Sequence, residues 1–517
     1  MKNLKLEELT LEQKIGMLLC ARNFYKVNEE DLEFTLGLIR NHALGSIQVP
    51  YDKPEIMEKV KAAADYPILI ICDMEMGFPT SDLPPVPMKT LAACNNPEYY
   101  RAFARALVAD AKKAGFNGNW GPNLDHGAGF RRISDETQMI CEGAEVLTQV
   151  FVNNGFLNCG KHYPGGDHKF DSHMANTGCY NTKEDLINER LVPYKYLMEK
   201  GLLNSLMVGH SVYENIDPEY PASLSKKVID IIRDMGFDGV VWTDSFAMMA
   251  ILQKYGEENI LGMAIAAGND IVLPNYRTTT RKSYETLLQN YKDGAFTEER
   301  LNEAVRRVLT AQAFVNAETP NAEPFTEQDR KNYFNIARDC ITAITDPGVD
   351  AALPKDNTDR LFIVLDKHEG PANEILQETV TREWYHSDWV EEKIHEEFPE
   401  AEVVHLPEFP TARQNELALL AASRHKEVVF VTFCNTRPYQ GTDCLTRRVE
   451  TVINGMLLSG KVSAILHFGN PKAMEEIDHV PRMLFGYMMP QSQLHAIEVL
   501  AGKLPAKGKL PCKVNLR

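Results

Sequence analysis

Hydrophobic and polar positions alternate along this chain in two distinct series. Through roughly the first three hundred residues, short β-rich apolar runs are separated by amphipathic stretches. The clearest runs are Gly45–Val49, Ile68–Asp73, Phe116–Trp120, Leu157–Lys161, Leu206–Gly209, Val240–Thr243 and Ile271–Leu273, with Met17–Cys20 a weaker eighth. Pro97–Lys113, Lys183–Lys200 and Lys226–Met235 between them carry apolar residues at helical spacing. Repeated strand–helix units imply parallel strands, because parallel neighbours need a crossover connection. Eight such units predict a (β/α)8 TIM-like barrel, with a doubly wound open sheet as the alternative.

The stretch Pro320–Pro324 (Pro-Asn-Ala-Glu-Pro) interrupts the pattern and reads as a linker. A second series follows, with strands at Leu361–Leu365, Val403–Leu406, Val428–Phe433, Ala464–Phe468 and Met483–Phe485 and helices at Glu416–Ser423 and Ser492–Ala501. It predicts a smaller α/β layered sandwich domain. The expected organisation is a barrel over 1–318, a linker over 319–335 and the sandwich domain over 336–517, as the length of 517 residues requires more than one core.

Bulk properties narrow the function classes. The formal charge of −17 argues against nucleic acid, whose binding needs Lys and Arg against phosphates. The N-terminal Met1–Glu8 turns acidic before any apolar run develops, and no window approaches a membrane span, so no signal peptide and no membrane partner are expected. The ten cysteines form no Cys-x-x-Cys pair and read as reduced thiols, which together suggests a cytoplasmic protein. No phosphate-cradling glycine loop is present and no metal-ligand spacing stands out, so neither a cofactor nor a metal is expected. The oligomeric state is not legible.

Polar residues collect just after the predicted strands, where barrel enzymes carry their sites. Asp73 and Glu75 follow the Ile68 run, Asp125 and Arg131 the Phe116 run, His210 the Leu206 run and Asp244 the Val240 run; Asp270 precedes the last one and can be a structural turn residue. The densest stretch is Lys161–His173, Lys-His-Tyr-Pro-Gly-Gly-Asp-His-Lys-Phe-Asp-Ser-His. In an extended segment Asp171 and His173 share a side, so the carboxylate can orient the imidazole. Asp244, ionised at neutral pH, is available as a nucleophile or charge stabiliser, and His173 can shuttle a proton; that pairing suits a double displacement.

These residues resemble glycoside hydrolase family 3, and within it the β-N-acetylglucosaminidase branch. The resemblance is carried by Lys161-His162-Tyr163-Pro164-Gly165-Gly166-Asp167 with Asp171-Ser172-His173, by Gly236–Asp244, by Ile71–Gly77 and by Pro122-Asn123-Leu124-Asp125 with Arg131. It implies a retaining exo-acting enzyme that removes terminal N-acetylglucosamine from small oligosaccharides or muropeptides. Asp244 would be the nucleophile and His173, oriented by Asp171, the acid/base, with Asp73, Arg131, Lys161, His162 and His210 binding the sugar. A β-glucosidase, a β-glycoside phosphorylase and a silent sugar-binding protein are the alternatives. The chain departs from the family pattern in a loop after Pro164 that is one residue shorter, in Met76 where the family has Gly, and in Met174–Gly178 where Leu-Pro follows the dyad.

Overall fold

A computed structural model of the chain describes residues 1–22, 28–127, 129–166, 178–366, 386–434 and 444–516. They form two compact units. The first comprises Met1–Leu83, Tyr100–His126 and Thr137–Asp329, and the second Pro84–Tyr99, Gly127–Glu136 and Arg330–Arg517.

The first unit is a barrel of parallel strands: β1 (Cys20–Arg22), β2 (Ser46–Gln48), β3 (Leu69–Cys72), β4 (Gly118–Asn119), β5 (Gly160–Tyr163), β6 (Ser205–Val208), β7 (Val240–Ser245) and β8 (Ile271–Leu273). They pair in the orders β1-β2-β3-β4 and β5-β6-β7-β8. Parallel bridges Gly118↔Leu157 and Leu19↔Val272 join the two sets at both seams. The ring is therefore closed, which rules out the open doubly wound sheet. Strands β2, β3 and β6 are buried at every position, which explains the continuous apolar or small-residue character of β3 and β6 in place of alternation.

The helices follow from local sequence. Lys226–Asp234 buries Val228, Ile229, Ile231 and Ile232 along one face, and the Ser225 hydroxyl caps it by accepting from the Val228 N–H at 3.3 Å. The expected single helix Lys183–Lys200 is instead broken. A π turn at Leu186–Arg190 precedes the helix Val192–Glu199, because Pro193 has no N–H to continue the ladder. A small sheet of Gly178–Cys179, Val212–Tyr213 and Asp217–Pro221, not foreseen from periodicity, follows β5 and β6 in the chain.

Asp270 lies at the N-terminal end of β8 and is fully buried. Its carboxylate accepts from Arg233 at 2.6 Å, Arg300 at 2.5 Å, Arg307 at 3.3 Å and the Val241 N–H at 3.0 Å. With every direction of approach taken by a donor, its role is to hold the barrel floor.

The second unit is built on one mixed sheet: β9 (Thr342–Thr345), β10 (Arg360–Asp366), β11 (Glu402–Pro407), β12 (Glu427–Cys434), β13 (Val462–Gly469) and β14 (Arg482–Phe485). Its order is β9-β14-β13-β12-β10-β11, parallel except for β9, which runs antiparallel to β14. Ser387–Glu397, Ala412–Arg424, Arg447–Leu457 and Pro490–Leu500 are among its described helices. The helix Glu327–Asp339 runs through the second half of the stretch read as a linker. In the sheet's core His467 is fully buried, with Nε2 donating to the Asn470 carbonyl at 2.9 Å and Nδ1 2.8 Å from the Thr432 hydroxyl. Burial pushes this imidazole down to about 4, so it is neutral in the folded protein. Among the described residues no helix is long and apolar enough to cross a membrane.

Candidate active site

The C-terminal ends of the barrel strands gather the charged residues. Just after β3, Asp73 and Glu75 both reach the Lys161 ammonium of β5. Lys161 is 1% exposed, and its Nζ lies 2.6 Å from Asp73 Oδ1. A buried ammonium needs such partners, because an unpaired charge away from water is strongly disfavoured. Glu75 is nearly as buried, whereas half of the Asp73 side chain remains exposed.

His162, the next residue, is held by Asp125 from the segment after β4. One carboxylate oxygen accepts the His162 backbone N–H at 2.9 Å and the other lies 2.8 Å from Nδ1. A carboxylate can only accept here, so Nδ1 carries the proton and Nε2 faces the other way. Asp125 is itself fixed by an Asx turn, with its N–H donating to Asn123 Oδ1 at 2.9 Å. The Lys161–His162 peptide is cis, and the β5–β6 ladder skips His162, pairing Lys161 with Met207 and Tyr163 with Val208.

Nε2 of His162 stands 3.9 Å from Asp244 Oδ2, too far for a hydrogen bond but close enough for strong electrostatic contact. Asp244 is the penultimate residue of β7, with 20% of its side chain exposed. Its other oxygen accepts the Ser245 N–H at 2.6 Å. Burial pushes this carboxyl upward, but His162, His210, the Ser245 N–H and Lys161 outweigh it and hold the pKa below the usual carboxylate range. Asp244 is therefore ionised at neutral pH.

His210, which follows β6, is buried beside this carboxylate. Its Nε2 donates to the Ser245 carbonyl at 3.1 Å, Nδ1 lies 2.8 Å from the Ser223 hydroxyl, and the ring stacks on Phe246 at 5.5 Å. Both ring nitrogens are thus engaged by protein groups. Ser245 is a junction: its hydroxyl also accepts from Arg22 Nη1 at 2.6 Å and from the Ala247 N–H at 3.2 Å.

The turn after β5 is shaped by its glycines. Gly165 has φ +78°, and the Tyr213 hydroxyl donates to its carbonyl. A Cβ on Gly166 would stand 3.0 Å from Cys179 Sγ, a contact tight enough that the Cys179 side chain would have to give. Asp171 and His173 lie outside the described residues, as does Asp167. Asp73, Lys161, His162, His210 and Asp244 are brought together at one end of the barrel. Arg131 falls in Gly127–Glu136, a segment of the second unit, where it is half-buried. Among the described residues no group of three or more His, Cys, Asp and Glu is placed to hold a metal ion.

The sequence pattern did not single out the Asp125–His162 pair, the Glu75–Lys161 pair or the Arg22–Ser245 contact. Asp125 and Glu75 were visible as strand-end carboxylates. Their partners were not, because they lie far off in the chain; nothing in the sequence pointed to Arg22.

The model of the glycosyl hydrolase family 3 N-terminal domain matches residues 10–311. A β-hexosaminidase of Xanthomonas axonopodis pv. citri (strain 306) is 31% identical over 237 residues, which span 42% of this chain and 70% of that protein. A glycoside hydrolase family 3 β-N-acetylglucosaminidase from Paenibacillus sp. str. FPU-7 superposes with a TM-score of 0.79 at 22% identity, over 98% of this chain and 100% of that one. A β-glucoside phosphorylase does so equally well, with a TM-score of 0.79 at 20% identity, over 98% and 94% of the two chains. With its closed barrel, the following α/β unit and a matched region of 10–311, the chain belongs to glycosyl hydrolase family 3.

Proposed function

We propose that this protein is a retaining exo-β-N-acetylglucosaminidase that removes terminal N-acetylglucosamine from small oligosaccharides or muropeptides. It is a glycoside hydrolase of the β-hexosaminidase type, like the Xanthomonas relative. The observation that carries the mechanism is Asp244: an ionised, partly exposed carboxylate at the end of β7, with one oxygen held by Ser245 and the other facing His162.

In the first step an Asp244 oxygen attacks the anomeric carbon as the bond to the leaving oxygen breaks. His173, oriented by Asp171, gives that oxygen its proton. In the second step His173 takes a proton from water, the water oxygen bonds to the anomeric carbon, and the Asp244 carboxylate is released. Most retaining glycosidases use a second carboxylate as acid/base; here the imidazole takes that part. Asp73, Arg131, Lys161 and His162 are assigned to the sugar hydroxyls, with His210 lining the same end of the barrel. The support for Lys161 and His162 is their rigid setting: Asp73 with Glu75 holds one, and Asp125 the other. The catalytic domain is taken as 1–318, and the compartment as the cytoplasm.

Turnover of aryl β-N-acetylglucosaminide and aryl β-glucoside, each with and without phosphate, tests this reading. The expected result is release of free N-acetylglucosamine at a rate that phosphate leaves unchanged. Preference for the glucoside, a phosphorylated product, or no turnover of either would overturn it.

A further inference from the structure

Among the described residues at the mouth of the barrel, Arg22 is a cation that the mechanism above does not use. Arg22 ends β1, on the far side of the nucleophile strand from Lys161 and His162. Its guanidinium is fixed at several points: Nε donates to Gln48 Oε1 at 2.7 Å, Nη1 donates to Ser245 Oγ at 2.6 Å and lies 3.4 Å from the Pro274 carbonyl, and the Tyr276 ring packs 5.3 Å from Cζ. These contacts tie the C-terminal ends of β1, β2, β7 and β8 to one planar group. A guanidinium suits this task because its donors are set in a rigid fork.

Ser245 converts that fixture into a constraint on Asp244. Its hydroxyl accepts from Arg22, its carbonyl from His210 Nε2, and its N–H donates to Asp244 Oδ1. The residue is thereby held through its side chain and through both sides of its peptide backbone. We propose that Arg22 is a positioning residue for the nucleophile, acting through Ser245 to fix the Asp244 carboxylate. This rests on the assignment of Asp244 as the nucleophile.

Two other roles for Arg22 make different predictions. If it bound substrate directly, its loss would raise KM. If it acted by charge, its loss would shift the protonation of Asp244 and Arg22→Lys would preserve activity; the largest influences that lower that carboxyl are His162, His210, the Ser245 N–H and Lys161. The guanidinium reaches Gln48, Ser245 and the Pro274 carbonyl from separate nitrogens, which an ammonium cannot reproduce, so Arg22→Lys should fail although it keeps the charge.

The test is steady-state turnover of an aryl β-N-acetylglucosaminide by Arg22→Gln, Arg22→Lys, Ser245→Ala, Ser245→Thr and the double variant Arg22→Gln/Ser245→Ala, with Asp244→Ala as reference. Loss of positioning at a reacting centre is expected to lower kcat by about 10²-fold in Arg22→Gln, Arg22→Lys and Ser245→Ala, with KM within about 3-fold of wild type. The double variant should be no worse than either single one, because both break the same contact. Ser245→Thr keeps the hydroxyl and should retain most of the activity. A raised KM at unchanged kcat, an Arg22→Lys variant as active as wild type, or losses that multiply in the double variant would each overturn the proposal. Should Arg22→Gln not fold, Ser245→Ala against Ser245→Thr decides the same point. Full turnover by Asp244→Ala would instead remove the nucleophile assignment, whereas an inactive Asp244→Ala beside unaffected Arg22 variants would remove this inference alone.

Discussion

Two aspartates at opposite ends of the barrel show how one residue type is saturated with donors in one place and left with an open oxygen in another. Asp270, at the N-terminal end of β8, is completely buried, and three arginines and a backbone N–H occupy its oxygens. Asp244, at the C-terminal end of β7, has one oxygen held by Ser245, and among the described residues the other accepts no hydrogen bond and faces His162 across 3.9 Å. The floor carboxylate is saturated and the mouth carboxylate is not, so of the two it is Asp244 that suits the proposed attack. Stability at the N-terminal face and chemistry at the C-terminal face is the general division of labour in such barrels.

Substituting each aspartate should separate the two roles. Asp244→Ala is expected to lower kcat by about 10⁴-fold or more, as loss of a nucleophile does, with its thermal midpoint close to wild type. Asp270→Ala strands buried arginines and is expected to destabilise the protein by about 3–5 kcal/mol, read from denaturant unfolding, while the folded fraction keeps its kcat. An Asp270→Ala enzyme that is stable but inactive would break the comparison.

Within the mouth, Asp125→Asn probes how far the site depends on an oriented imidazole. The variant loses the charged acceptor for His162 Nδ1–H, and a hydrogen bond to a charged group is worth about 1.5–3 kcal/mol. A fall in kcat/KM of about 10- to 100-fold is expected from the same range. An unchanged rate would mean that His162 does not meet the reacting sugar.

The pH dependence distinguishes the two units. Because Asp244 is held below the usual carboxylate range, its protonation should not limit kcat/KM above about pH 4. An acidic limb that persists in Asp171→Asn and His173→Gln at higher pH would contradict this. In the second unit, His467 sits at about 4 in the folded state against an ordinary 6.5. The unfolded chain therefore binds this proton first as pH falls, so the contribution is intact above about 6.5 and is lost progressively down to about 4. The loss should total about 3 kcal/mol, and His467→Gln should flatten that part of the stability profile. An identical slope in the variant would show that other groups carry it.

What could be read from the chain follows a physical rule. Strands such as Leu69–Cys72 and Ser205–Val208 are buried on both faces, so their composition alone marks them. Thr342–Thr345 was missed because Thr-Ala-Ile-Thr has little apolar signal of its own; pairing with Arg482–Phe485 at the sheet edge makes it a strand. That Pro84–Tyr99 and Gly127–Glu136 belong to the second unit was equally invisible, since nothing in their spacing records which core they join. Lys161, His162 and Asp244 were legible because each stands where a predicted strand ends. The contacts that orient them were not: Asp125 lies 37 residues from His162, and Arg22 lies 223 from Ser245. Sequence position reveals which residues emerge at the mouth, and only the closed barrel brings their partners together.

The central claim is that Asp244 forms the glycosyl-enzyme. Its most direct test is peptide mapping by mass spectrometry after the protein is inactivated with an activated, ring-fluorinated N-acetylglucosaminide that slows the second step. The account expects a single glycosyl adduct on the peptide that contains Gly239–Ser245, located at Asp244 and absent from Asp244→Ala. An adduct on any other carboxylate would contradict it.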